Sequence, residues 1–215
     1  MDERFPAFRA LTETDLQNDT VRADGAALKK LNQAGLMWKS SKDMDTEWER
    51  IKFISENAAG DVLEIGCATG LVTKYLSANH KVRSIHCVDT APICIKYLKS
   101  LGLCKVNANI FDLTTEKLNG GEMFGCVVMA ELIEHLSAAD EMSIIKNIYK
   151  NINDGETVFI ITTPVGYMPD PSHVRGFSKE MCAKHIFLHY GDIINKRIIA
   201  DTYQCYAVRF KKRAG

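Results

Sequence analysis

Short apolar segments alternate with helical segments from about residue 60 onward, and this alternation constrains the fold more than any other feature of the chain. The segments DVLEIG, KVRSIHCVD, CKVNANIF, FGCVVMAE and ETVFIITTP have the length and composition of strands. Helical patterns such as LVTKYLSANH, APICIKYLKSLG and SAADEMSIIKNIYKNI lie between them, and a further helical pattern, SKEMCAKHIFLH, follows the last of them. Strands joined in this way pair in parallel through right-handed crossovers. The alternation therefore predicts an open, mostly parallel α/β sheet with helices on both faces.

The last two apolar segments, DIINKRIIAD and YQCYAVRFK, break this rhythm because only a few residues separate them. A crossover helix does not fit into so short a connection, so the two strands are predicted to be antiparallel neighbours. Together with the five earlier strands they predict a seven-stranded sheet with a C-terminal antiparallel hairpin at one edge.

The length of 215 residues suits a single core. The first 45 residues are polar and weakly patterned, which predicts an N-terminal helical appendage or lid over residues 1–45 and the α/β domain over residues 46–215. Thr46 and Glu49 have capping-box spacing, and this spacing predicts a helix from Thr46 to about Asn57. Ser137, with Asp140 three residues later, is the predicted cap of the helix in SAADEMSIIKNIYKNI.

A tight turn between the first strand and the next helix carries the first functional signal. Gly66 and Gly70 flank this turn, where the absence of β-carbons lets backbone amides approach a ligand. The dinucleotide fingerprint G-x-G-x-x-G is not met, because Ala68 and Thr69 stand where phosphate-contacting glycines are expected. Glu64 just before the turn would repel a phosphate and suits a cation.

The end of the second strand carries Asp89, nineteen positions after Gly70. An acid at this place can accept both hydroxyls of a ribose, although a helix cap is the alternative reading. A ligand with a ribose, a positive centre and no phosphate describes S-adenosylmethionine.

Four motifs together resemble the class I S-adenosylmethionine-dependent methyltransferases, and most of all their small-molecule and sugar-modifying branch. They are VLEIGCATG, the acid of HCVDT, the Asp of NIFDL and the strand end VVMAELIEHL. The likeness covers about residues 46–210, including the terminal hairpin. It implies a Rossmann-like α/β fold, with S-adenosylmethionine as the cofactor. One departure is Ala68, where many members have glycine.

The resemblance also implies cofactor contacts, position by position. Glu64 would lie on the methionine and sulfonium side, Asp89 would hold the ribose hydroxyls, and Asp112 would face the adenine amine. The other implied contacts are Gly66, Cys67 and Gly70 in the turn, Thr90 and either Ile110 or Phe111 beside the adenine, and Ala130 and Glu131 near the reacting methyl group. Ile110 and Phe111 could equally be core residues.

Acids and histidines near the fourth and fifth strand ends are candidates for a general base. His173 is the preferred base, Glu131 the second choice, and His135 a further catalytic candidate. The spacing Glu-x-x-Glu-His permits a divalent metal site with a further histidine, as in the small-RNA 2′-O-methyltransferases that this motif resembles. Because many metal-independent members carry the same string, we expect no metal.

The segment TTPVGYMPDPSHVRGFSKEM forms a long excursion above the strand ends, where substrate contacts belong. Its His173, Phe177 and Ser178 match a His-x-x-x-Phe-Ser/Thr pattern that resembles sugar and glycan methyltransferases. Arg175 would suit an anionic or polyhydroxylated substrate, and Tyr167 is a second candidate for substrate binding.

Composition and charge limit the partners. The formal net charge is zero, which argues against nucleic acid, and the apolar runs are too short to cross a bilayer. The amino terminus lacks the apolar stretch of a secretory signal, and the seven cysteines show no zinc spacing, so we expect a cytoplasmic protein.

The sequence thus predicts methyl transfer from S-adenosylmethionine to an oxygen or nitrogen of a small-molecule or sugar-like acceptor. The alternatives are a metal-assisted RNA 2′-O-methyltransferase and a protein that binds S-adenosylmethionine without catalysis. The oligomeric state and the acceptor are left open.

Overall fold

The computed structural model describes residues 41–113, 124–151, 155–168, 172–179 and 190–211. The strands within these residues are β1 Gly60–Ile65, β2 Val82–Asp89, β3 Val106–Ile110, β4 Cys126–Ala130, β5 Val158–Pro164, β6 Gly191–Ile199 and β7 Tyr203–Phe210. The helices are α1 Ser41–Asn57, α2 Leu71–Ala78, α3 Pro92–Ser100 and α4 Ala138–Asn151, with a short 3-10 helix at Ile133–His135.

All seven strands belong to one sheet, in the order β3-β2-β1-β4-β5-β7-β6. Strands β1 to β5 pair in parallel, whereas β7 is antiparallel to both β5 and β6. The predicted Rossmann-like sheet and its C-terminal hairpin are therefore confirmed. Strand order reverses between β1 and β4, and ligands of open α/β sheets bind beside the carboxyl ends of the strands at such a point.

Helices cover both faces of the sheet, as the alternation predicted. Val62 points to the face covered by α1, α2 and α3, where it shares a buried cluster with Phe53 and Leu98. Its neighbour Leu63 points to the other face and shares a second cluster with Ile145 of α4. Because successive side chains of a strand alternate between faces, one short sequence supplies both cores.

The starts of two helices test the capping predictions. The helix predicted from Thr46 begins at Ser41, so that start is wrong; residues 41–45 contain neither glycine nor proline, and Thr46 is buried inside the helix. The predicted cap of α4 is confirmed, since Ser137 Oγ accepts the Asp140 N–H at 3.1 Å and donates to the Asp140 carboxylate at 2.7 Å.

Two predictions concern segments outside the described residues. Apart from residues 41–45, the appendage or lid over residues 1–45 lies outside them, as does nearly all of the helix predicted from the segment SKEMCAKHIFLH. None of the helices in the described ranges has both the length and the apolar character that spanning a bilayer requires.

Candidate active site

The turn after β1 depends on two glycines. Gly66 and Gly70 have φ angles of 72° and 80°, in the left-handed region that favours glycine. A Cβ at Gly70 would lie 2.4 Å from Leu98 Cδ1, and one at Gly66 would lie 2.9 Å from Leu132 Cδ1. Side chains at either position would therefore displace both the backbone and its packed neighbours.

Ala68, the residue that departs from the family pattern, also has left-handed backbone, with φ at 45°. The left-handed conformation costs a residue with a β-carbon roughly 1–2 kcal/mol. The turn thus keeps the shape that glycine favours even where alanine occupies it.

Asp89 ties this turn to the next strand end. Its Oδ2 accepts the N–H of Ala68 and its Oδ1 the N–H of Ala91, both at 2.9 Å. An ionised carboxylate has about four acceptor sites, so two amide bonds leave capacity for hydroxyl groups. Asp89 is half-buried and Thr90 beside it is exposed. The contact between Asp89 and the ribose stays a prediction. The position of the Asp89 carboxylate at the rim of the turn is compatible with it.

Glu64 lies beneath the turn. Its carboxyl group is buried and accepts hydrogen bonds from Thr73 Oγ1 at 2.6 Å and Cys87 Sγ at 3.6 Å. Burial raises the pKa of Glu64 to about 7, an effect that the bonds from Thr73 and Cys87 partly oppose. If Glu64 lies near the sulfonium as predicted, it does so with a carboxyl group that already accepts hydrogen bonds from Thr73 and Cys87.

Cys67 contributes only its backbone to the turn, because its side chain is buried in the core on the α1–α3 face. At the end of β3, Phe111 packs against the opposite core cluster while Ile110 is 58% exposed. The Phe111 N–H donates to the Asp89 carbonyl at 3.1 Å, which sets the two candidate nucleoside contacts side by side. Asp112 follows as a half-buried residue.

At the end of β4, Glu131 is held in left-handed backbone, with φ at 52°. Thr162 Oγ1 donates to the Glu131 carboxylate at 3.0 Å, and the Glu131 N–H donates to the Thr162 carbonyl at 2.9 Å. Burial, and then the nearby Glu134, raise the pKa of Glu131 well above its usual range. Ala130, the preceding candidate, pairs with Thr162 in the sheet.

A buried ion pair supports this strand end, and sequence reasoning missed it. Arg50 of α1 donates to both carboxylate oxygens of Glu47, and its Nη1 donates to Thr162 Oγ1 at 3.1 Å. The guanidinium also lies over the Tyr203 ring, 5.4 Å from the centroid. A signal was available: Glu47 and Arg50 share helical spacing with Ile51 and Ile54, on the buried side of α1.

Glu134, His135 and His173 come together although 38 residues separate the two histidines. The ring centroids of His135 and His173 are 4.6 Å apart. His135 Nδ1 lies 3.0 Å from the Ser172 carbonyl oxygen, and His173 Nδ1 lies 2.9 Å from that of Met168. The sequence had grouped Glu131, Glu134 and His135, with His173 as the later histidine of the same motif, and the structure brings Glu134, His135 and His173 together.

Main-chain bonds fix the segment that carries His173. The Glu134 carbonyl accepts the N–H groups of Val174, at 2.9 Å, and Arg175, at 3.4 Å. Gln204 of β7 is fully buried, and its Nε2 donates to the carbonyl groups of Pro164, at 3.1 Å, and Phe177, at 2.9 Å. Strand β7 thus holds the segment between Pro164 and Phe177 at both of these residues. This positioning role of Gln204 had no local sequence signal.

The two predicted substrate contacts differ in their surroundings. Arg175 is engaged within the protein: it pairs with Glu141 of α4, donates to the Ile133 carbonyl at 3.2 Å and stacks on Phe177, 4.8 Å from the ring centroid. Tyr167 is 62% exposed at the start of the excursion. The substrate-binding roles of Arg175 and Tyr167 stay predictions. To bind a substrate, the Arg175 guanidinium would have to give up one of its present partners.

Comparisons with known proteins agree with this architecture. A family model described as a methyltransferase domain matches residues 41–190. The N-methyltransferase NodS from Bradyrhizobium japonicum WM9, solved with S-adenosylhomocysteine, is 18% identical over 81% of this chain and 90% of its own, with a TM-score of 0.64. DhpI, solved in complex with the same compound, is 15% identical over 96% of this chain and 100% of its own, with a TM-score of 0.72.

A TehB-like methyltransferase from Corynebacterium glutamicum is 16% identical over 86% of this chain and 96% of its own, with a TM-score of 0.62. No curated protein matches the chain significantly. The glycine turn and the half-buried Asp89 at its rim fit a nucleoside with a ribose. The chain therefore belongs to the methyltransferase domain family, which confirms the predictions of a class I methyltransferase and of S-adenosylmethionine as its cofactor.

Proposed function

We propose that the chain transfers the methyl group of S-adenosylmethionine to an oxygen or nitrogen atom of a small-molecule or sugar-like acceptor. The observation that carries this proposal is the pair of imidazoles, His135 and His173, beside the buried Glu134 at the β4 end of the sheet. This group lies next to the strand reversal, where a cofactor of this fold binds.

The cofactor supplies a methyl group already activated by a sulfonium leaving group, so the protein mainly aligns the reactants and excludes water. In this proposal the turn at Gly66 and Gly70 receives the methionine portion, and Asp89 receives the ribose hydroxyls. Phe111 and Asp112 take the adenine.

His173 is the preferred base. Its Nδ1 faces the Met168 carbonyl, so the ring proton belongs on Nδ1 and the lone pair on Nε2 can accept a proton. Glu131 is the second choice, because its carboxylate already accepts the Thr162 hydroxyl and burial raises its pKa.

Two features support a small acceptor. The formal net charge of zero argues against RNA held through a large basic surface. Tyr167 and Val174 have exposed side chains. They neighbour Met168 and His173 in the chain, which the contact of His173 Nδ1 with the Met168 carbonyl brings together. The similarity to NodS, an N-methyltransferase, supports keeping nitrogen acceptors in the proposal beside oxygen acceptors. Cytoplasmic location is part of the same proposal.

The test is transfer of a labelled methyl group to panels of sugars, polyols and amines, with RNA as a separate arm. His173→Asn keeps a donor for the Met168 carbonyl and removes Nε2. We expect turnover to fall at least about 100-fold, the scale of general-base catalysis, with unchanged affinity for S-adenosylhomocysteine.

The matched control is His80→Asn, at an exposed position between α2 and β2, which should turn over like the wild type. Unchanged turnover in His173→Asn would remove His173 from the mechanism. Transfer to RNA alone would overturn the proposed acceptor class.

A further inference from the structure

A bridge of side-chain hydrogen bonds runs from helix α1 to the carboxyl end of β4, through Arg50, Thr162 and Glu131. Arg50 Nη1 donates to Thr162 Oγ1 at 3.1 Å, and Thr162 Oγ1 donates to Glu131 Oε1 at 3.0 Å. Arg50 and Thr162 are buried, and Glu131 is half-buried. The bridge therefore ends on the acid that follows β4, beside the reversal of strand order.

The donor and acceptor roles along this bridge are fixed. A guanidinium only donates hydrogen bonds, so the Thr162 oxygen accepts from Arg50. The single hydroxyl proton of Thr162 is then directed at Glu131, whose Oε1 is the acceptor. Within the described residues, Thr162 is the only hydrogen-bond donor to this carboxyl group, so Oε2 stays available to a ligand.

Glu47 fixes the direction of the Arg50 guanidinium. The Glu47 carboxylate accepts hydrogen bonds from Arg50 Nε, at 3.0 Å, and from Arg50 Nη2. A two-point contact of this kind holds the planar guanidinium in one orientation. Because Nη1 is the nitrogen that contacts Thr162, helix α1 presents one oriented N–H group to the end of β5.

Stability alone does not account for this buried pair. Glu47 is 5% and Arg50 4% exposed. Exchange of a buried ion pair for apolar side chains of similar volume is often neutral or stabilising. Apolar side chains would not supply the N–H group that Arg50 directs at Thr162.

Thr162 holds both the backbone and the side chain of Glu131. The Glu131 N–H donates to the Thr162 carbonyl at 2.9 Å, and the Glu131 carboxyl group accepts the Thr162 hydroxyl. Glu131 has a φ of 52°, and backbone of this kind persists where surrounding contacts fix it, most often at functional sites. The next residue, Leu132, lies against Gly66. Glu131 is thus fixed beside the turn that receives the cofactor in the proposed function.

We propose that Arg50 and Thr162 are positioning residues for methyl transfer, and that they act by holding the Glu131 carboxyl group in the crevice between β1 and β4. This assignment rests on the proposed function. Glu131 Oε2 accepts a hydrogen bond from the hydroxyl or amine of the acceptor and orients it, while His173 takes the proton. A misplacement of about 1 Å in such a group costs on the order of 100-fold in rate.

The first test compares threonine variants in the methyl-transfer assay. Thr162→Val removes the hydroxyl at similar size and should lower kcat about 10- to 100-fold, with unchanged affinity for S-adenosylhomocysteine. Thr162→Ser keeps the hydroxyl and should recover most of the turnover. The matched control is Thr157→Val: Thr157 is equally buried, donates to the Phe124 carbonyl at 2.9 Å just before β5, and its variant should keep the wild-type kcat.

The double variant Glu47→Gln, Arg50→Met separates positioning from stability. It should be folded, because it leaves no buried charge without a partner, yet its kcat should fall at least about 10-fold. Adding Thr162→Val should make it no slower than Thr162→Val alone, because both changes break the same bridge. Wild-type turnover in the double variant, or losses that multiply, would overturn the positioning role.

Carbon-13 NMR of the side-chain carboxyl groups gives a readout that does not depend on turnover. The Glu131 signal, assigned with Glu131→Gln, should shift in Thr162→Val and in the double variant but not in Thr157→Val. An unchanged signal in the first two would overturn the bridge.

The proposed function and the bridge fail in different ways. Wild-type kcat in Thr162→Val would remove the positioning role and leave the proposed function standing. Absence of transfer to every acceptor by the wild type would count against the proposed function, while the Glu131 signal still decides whether Arg50 and Thr162 hold this carboxyl group.

Discussion

At the scale of single residues, the candidate site is built on backbone that L-amino acids rarely adopt. Ala68 and Glu131 both have positive φ, and they follow β1 and β4, the two strands that flank the reversal of strand order. Such residues persist only where surrounding contacts hold them. Asp89 supplies one of these contacts, to the Ala68 N–H, and Thr162 supplies others to Glu131.

Replacing Asp89 with Ala should lower affinity for S-adenosylmethionine and S-adenosylhomocysteine at least about 100-fold, because a truncated carboxylate costs roughly 1.5–3 kcal/mol per charged hydrogen bond. Isothermal calorimetry measures the change. Asp61→Ala is the control: this acid pairs with Arg83 near the amino ends of β1 and β2, and its replacement should not affect binding. Equal affinities in wild type and Asp89→Ala would contradict the assignment of Asp89 to the ribose.

At the scale of elements, α1 does more than cover the sheet. Arg50 reaches from this helix to Thr162 at the end of β5 and is 4% exposed, so the helix carries a buried charge to the edge of the site. Glu47, one turn earlier, neutralises that charge within the same helix. Helix α1 is therefore a structural part of the domain, not a detachable addition.

Arg50→Met should lower the free energy of unfolding by about 3–5 kcal/mol, because it leaves the buried Glu47 carboxylate without its partner. The double variant Glu47→Gln, Arg50→Met removes both charges and should recover most of this loss. Denaturant unfolding of the two single variants and the double variant measures the coupling. Additive losses would show that Glu47 and Arg50 do not act as a pair.

At the scale of the whole molecule, carboxyl groups gather in the interior at one edge of the sheet. Glu64 lies near the carboxyl end of β1, Glu131 and Glu134 follow β4, and burial raises the pKa of each. Their protonation contributes to stability, since the folded protein binds protons that the unfolded chain has already released.

The pKa of Glu64 rises from 4.5 to about 7 on folding. Below pH 4.5 the carboxyl is protonated in both states and its full contribution is present; between pH 4.5 and 7 the unfolded chain ionises first, and this contribution is lost. We expect the free energy of unfolding of the wild type, relative to that of Glu64→Gln, to decrease by about 3 kcal/mol as the pH rises from 4.5 to 7. Urea unfolding across the pH range measures it, and a constant difference would contradict the prediction.

Local patterns in the chain were sufficient for several features of the fold and the site. Turn glycines, apolar runs and the Ser137 cap depend on neighbours within a few residues, so Gly66, Gly70 and the order of strands and helices were predictable. The start of α1 was not, because a capping-box pattern at Thr46 also occurs inside a helix that nothing interrupts.

The remaining features depend on contacts between distant segments. The structure places His173 against His135 because Gln204 and the Glu134 carbonyl hold its segment, and it pairs Arg50 with Thr162 across 112 residues. Short-range periodicity indicates which side of a helix or strand is buried, but it does not indicate which partner meets it there. The cofactor family was therefore predictable from the chain, and so was the association of His173 with the Glu-x-x-Glu-His motif. Only the folded sheet decided that Glu134 is the acid that lies with both histidines.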